Sequence, residues 1–210
     1  MLMGRFRHSI LGGLAIAMVL GFVGVASASS VDELVKSGEA HESAGDPEIA
    51  ARRYTDALSL DPTSEQAYLH LGALRAHQGD GREAVRVYSV ALSHMPGFHL
   101  ARKARAHAYW QTGAREDAER DLEDYLDQRP EDEGSLRTLA DWYGLHGRHA
   151  AQLATWRRLR ARARDEGAQK EAATMVRALQ IMVAPADPVL APESSEPVRR
   201  SVARITRRGG

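Results

Sequence analysis

The chain has 210 residues, 43% of them apolar, with 28 basic and 28 acidic side chains, so a buried core is within reach and no net charge draws it to nucleic acid. The absence of cysteine excludes disulfides, thiolate metal sites, a cysteine nucleophile and a lipid-modified amino-terminal cysteine, and the absence of asparagine excludes N-glycosylation. Abundant alanine and few aromatics favour close-packed helices over sheets, because alanine has the best intrinsic helix propensity.

Residues 1–28 carry the pattern of a secretory signal peptide. Arg5, Arg7 and His8 make a positive start, an uncharged apolar run extends from Ile10 to Val25, and Ala26-Ser27-Ala28 closes it with small residues. The run is shorter than the roughly 20 apolar residues a spanning helix needs. Cleavage is expected after Ala28, which makes the protein an exported one. The style of the leader suggests a bacterium and a periplasmic address.

From residue 31 a period of 34 appears. Pro62, Pro96 and Pro130 are spaced by it, as are Gly45, Gly79, Gly113 and Gly147, and Ala50, Ala84 and Ala118. Tyr54, Tyr88, Leu122 and Trp156 are large and apolar at the same step. A period of this length marks a repeat architecture. The blocks run 31–64, 65–98, 99–132 and 133–166. In the second, Tyr68-x2-Leu71-Gly72-x2-Arg75 is followed by Gly79-Asp80, Ala84, Tyr88, Ala91 and Pro96. This resembles the tetratricopeptide repeat, whose pattern runs W-x2-L-G-x2-Y, then A-x3-F, then P. The resemblance implies an all-α, right-handed solenoid of about four helical hairpins.

The pattern has a physical reason. Gly38, Gly72, Ala106 and Ala140 stand where the first helix of each block crosses the second, and small residues there let two backbones approach. The large residue of each block fills the space beside them. The repeated glycines follow the first helix, where a left-handed cap is wanted. Each proline ends a second helix, which it cannot prolong. Asp61 to Glu65 and Arg129 to Glu133 offer cap residues for the next helix. The later blocks depart from the pattern. Arg102 and Arg105 stand at apolar positions, Tyr125 replaces a small residue, Gln152 replaces the alanine and Arg164 the proline.

After the repeats, apolar residues at helical spacing predict one more helix over 167–183, which caps the open end of the solenoid. Residues 184–210 hold Pro185, Pro188, Pro192 and Pro197, end in an arginine-rich stretch, and are expected to be disordered.

The resemblance also implies an inner groove lined by the first helices, which grips a peptide or helix of another protein. By position, the groove residues are Leu69, Ala73 and His77 of the second block, Lys103, His107 and Trp110 of the third, and Arg137 and Asp141 of the fourth. Lys103, His107 and Arg137 are expected to draw an acidic segment. Trp110 reads either as a binding anchor or as packing between hairpins, and Trp142 as packing. The carboxylate-clamping subtype of the family needs asparagines, which are absent.

No cofactor is expected. His146-x2-His149 and His94-x4-His99 straddle turns, so neither pair presents two ligands on one helical face, and no nucleophile elbow, phosphate loop or dinucleotide fingerprint is present. The reading is therefore a non-catalytic scaffold of the cell envelope that binds protein and not nucleic acid. Two alternatives are a metal-binding or enzymatic protein using its histidines, and a membrane-surface protein attached by its arginine tail. The acidic first block and basic end also suggest head-to-tail self-association.

Overall fold

The computed structural model describes residues 30–183. The expected leader with its cleavage after Ala28, and the expected tail over 184–210, lie outside the described residues.

Among the described residues the chain is a succession of helices with no strand. They are α1 (30–44), α2 (Pro47–Leu60), α3 (Glu65–His77), α4 (Gly81–His94), α5 (His99–Thr112), α6 (Arg115–Gln128), α7 (Glu133–Leu145), α8 (His149–Arg162) and α9 (Glu166–Val183). Consecutive helices pair from α1/α2 to α7/α8, and α9 lies on α8.

Local chemistry sets the ends of these helices. Gly113 closes α5 at φ 83°, a left-handed conformation that a side chain disfavours, and Ala114 N–H then reaches back to the Tyr109 carbonyl at 3.0 Å. The same backward bond recurs from Asp46, Asp80 and Arg148. Ser64, Asp80 and Asp132 cap the helices that follow them by accepting from Ala67, Glu83 and Ser135 N–H. Arg164 stands where earlier blocks have proline, yet α8 still stops, and the Glu133 carboxylate accepts the Arg164 N–H at 3.0 Å.

The hairpins close by matching small to large. A Cβ added to Gly38 would lie 2.4 Å from the Tyr54 ring, and one added to Gly72 would lie 2.4 Å from the Tyr88 ring. In the next two hairpins the small residue is Ala106 or Ala140, and the buried large one is Leu122 or Trp156. Gln152 uses a variant of the same device: its amide fills the space that a Cβ on Gly144 would occupy.

The core falls into two apolar clusters that meet inside α5. Ala101 and Ala108 belong to the cluster of the first hairpins, Ala106 to the cluster that runs on to α9. At this junction stand the two arginines that break the apolar pattern. Arg105 makes a forked pair with Asp121, at 2.7 and 2.9 Å, and Arg102 pairs with Asp124 at 2.8 Å. Ion pairs thus take the place of apolar contacts in the third hairpin.

On α9, Lys170, Thr174 and Arg177 occupy the places held one period earlier by Leu136, Ala140 and Tyr143. Its outer face is polar where a further hairpin would need apolar surface, which suits a cap.

Candidate protein-binding groove

The first helices α3, α5 and α7 and the last helix described, α9, bring equivalent residues into register, so that Leu69, Lys103, Arg137 and Glu171 follow at one period. The two cations in this row are engaged within the molecule. Lys103 Nζ lies 2.8 Å from Asp132 and over the Tyr125 ring at 5.2 Å. Arg137 lies 3.1 Å from Glu171 and 3.8 Å from Glu133.

Asp132 is the hub of one of these contacts. It accepts from Lys103, from Tyr125 Oη at 2.8 Å, and from both the N–H and the hydroxyl of Ser135. Burial pushes its carboxyl up, but the Lys103 ammonium and the Ser135 and Tyr125 donors outweigh that and hold it well below the usual carboxylate range. Burial and the hydrogen bond to Asp132 push Tyr125 up to about 12.

The remaining expected groove residues are less engaged. Leu69 and Ala73 are half-buried and His77 is exposed. His107 keeps an exposed edge, but its ring meets Trp142 edge-on at 5.4 Å; loss of hydration, then the Lys103 charge, lowers its pKa. Asp141 is exposed, and loss of hydration together with the nearby Glu171 raises its carboxyl. Leu100 and Leu145 add 44% and 75% exposed leucines beside them.

Trp110 is built into the structure on both sides. Its ring stacks on Trp142 at 4.4 Å and 5°, and the Arg115 guanidinium stands 4.0 Å from the ring centre. Two groups so close cannot share one face of an indole. Trp142 itself is buried.

One cluster escaped the sequence reading. Glu119 is only 3% exposed, receives the Arg148 guanidinium, and meets His146 Nδ1 at 2.7 Å, while His146 leans on Trp110. A trace of it was visible. Position 119 is acidic where the other blocks have Ala51, Val85 and Leu153. The four histidines of the two close pairs are separately engaged: His146 with Glu119, His149 with Gln152, His94 with the Tyr68 ring and His99 with Arg129. Among the described residues no group of three or more His, Asp or Glu is placed to hold a metal ion.

No protein-family model and no curated protein sequence matches the chain. Solved structures do match in shape. A tetratricopeptide repeat protein from Parabacteroides merdae is similar over 73% of this chain, with 20% identity and a TM-score of 0.61. This chain spans 61% of that protein, less than two thirds of its length. The pilF protein of Pseudomonas aeruginosa is similar over 75% of this chain and 70% of its own, with 17% identity and a TM-score of 0.58. The first tetratricopeptide domain of Spaghetti (RPAP3), solved with the HSP90 peptide SRMEEVD, is similar over 57% of this chain and 97% of its own, with 17% identity and a TM-score of 0.53. The fold is that of a tetratricopeptide-type helical solenoid.

Proposed function

We propose that this chain is a non-catalytic scaffold that holds a segment of another protein against its first helices. The observation that carries this is a division of labour along that face. Lys103 and Arg137 are neutralised from within, whereas Leu69, Ala73, Leu100 and Asp141 are left for a partner. A segment with a small apolar face fits this surface, with a basic residue set against Asp141. An acidic segment fits poorly, because binding it would first require breaking pairs already made at 2.8 and 3.1 Å. A peptide held by the Spaghetti domain supports the general mode of binding, and the difference in free charge argues for a different ligand class here.

Photo-crosslinking tests the reading. A crosslinker at position 100 should give a discrete product that is lost in Leu69→Glu, while one at position 86, on α4, should give none. Equal labelling from both positions, or a product indifferent to Leu69→Glu, would overturn it.

We place this work in the bacterial envelope, on the strength of the leader pattern over residues 1–28. Amino-terminal sequencing of the protein recovered from a periplasmic extract should begin at Ser29. Recovery in the cytoplasm with residues 1–28 intact would remove this part of the proposal.

A further inference from the structure

Among the described residues the arginines differ in how far the fold engages them. Between residues 65 and 148 every arginine except Arg82 has a hydrogen bond, an ion pair or a ring contact within the fold. On α8 and just beyond it, Arg157, Arg158, Arg160, Arg162 and Arg164 have no side-chain partner among the described residues. All but the half-buried Arg158 are exposed. Helix α8 contains no acidic residue.

Helix chemistry does not account for this. Cations near a helix carboxyl end are favoured by its dipole, and Arg160 and Arg162 lie in the last turn. Arg157 and Arg158 lie further back. Arg157 with Arg160, and Arg158 with Arg162, are like charges at neighbouring helical positions, which destabilises an isolated helix. Nearby acids do little to offset them. The Asp165 carboxylate caps Ala168 N–H at 2.8 Å, the Glu133 carboxylate accepts the Arg164 backbone N–H, and Glu166 makes no ion pair among the described residues.

We infer that the outer face of α8 is a docking surface for an anionic lipid bilayer. One feature favours lipid over an acidic protein. The arginines form a cluster of charge without oriented partners among the described residues, spread around the exposed side of α8 and its carboxyl end, and a bilayer needs charge density and no register. No helix among the described residues is long and apolar enough to cross a membrane, so attachment at the surface is the mode inferred. This face is built from the second helix of its hairpin, away from the first helices, so the inference stands apart from the proposed groove.

Vesicle flotation of the mature full-length chain tests it. Vesicles of phosphatidylcholine alone are compared with vesicles containing added phosphatidylglycerol, at low and high salt. Binding is expected to the anionic vesicles only and to weaken at high salt. Changing Arg157, Arg158, Arg160, Arg162 and Arg164 together to Gln should lower it about tenfold or more. Changing the same five to Lys should retain it, which keeps the test decisive if the Gln variant fails to fold. A third variant neutralises Arg199, Arg200, Arg204, Arg207 and Arg208, and it should keep most of the binding. Absence of binding, equal binding to neutral vesicles, loss only in the third variant, or loss in the Lys variant would each overturn the inference.

Discussion

Trp110 and Trp142 lie almost parallel, with ring centres 4.4 Å apart, and join the first helices of the third and fourth hairpins. The contact fills a wide junction: α3 and α5 approach each other at the backbone, whereas α5 and α7 meet through these rings. Truncating Trp142 to Ala should destabilise the fold by about 3–5 kcal/mol, because a buried indole leaves a cavity. Near-ultraviolet circular dichroism offers a direct check. Stacked indoles couple, so Trp110→Phe and Trp142→Phe should each abolish the same spectral feature.

The close approach at Gly72 makes a second prediction. Alanine is a better helix former by about 1 kcal/mol, so on an open helix Gly72→Ala would stabilise. Here the new methyl meets the Tyr88 ring at 2.4 Å. Overpacking costs about 1–3 kcal/mol, and the net result should be a loss. Adding Tyr88→Leu should recover most of it, because Ala106 and Leu122 already form that combination in the next hairpin. Urea denaturation of the single and double variants measures both effects.

Arg105 and Asp121 should behave as a pair. Their side chains are 19% and 8% exposed. Asp121→Ala leaves a cation half-buried without its partner, and should cost about 3 kcal/mol. Arg105→Leu with Asp121→Val restores the pair that Leu71 and Val87 provide in the preceding hairpin. The double variant should be at least as stable as the parent, since well-packed apolar pairs often equal or exceed buried ion pairs. A double variant as unstable as Asp121→Ala would contradict this.

Asp132 links stability to acid. Its folded pKa lies below its unfolded value. The stabilisation is therefore complete above the unfolded carboxylate pKa of about 3.9, and is lost as pH falls through the lower folded value. Asp132→Asn should weaken the fold at neutral pH by about 2 kcal/mol, as expected for charge-assisted hydrogen bonds. The difference between parent and variant should shrink progressively as pH falls below about 4. Thermal melts across that range give the comparison.

The hairpins, their turns and their crossing points could be read directly along the chain. A left-handed glycine is a property of one residue, and the match of Gly72 to Tyr88 recurs at a fixed step, so both leave a one-dimensional trace. The pair formed by Arg105 and Asp121 was half legible. The sequence reading found the arginine out of place, but not the acid 16 residues later that replaces Val87 in the same stroke. The family resemblance put the expected groove residues on the first helix of each block, which the structure gives as α3, α5 and α7, without any sign of which side chains were free.

From its sequence alone this protein is bound to be a stack of helical pairs, because backbone conformation and the alternation of small and bulky residues act locally and repeat. Tertiary structure decided which charges remain available. Lys103 reaches Asp132, Arg137 reaches Glu171 and Arg148 reaches Glu119, each across 29 to 34 residues. Among the described residues the arginine side chains of α8 reach no partner. Such pairings depend on the separation and direction of whole helices, which a list of residues does not contain.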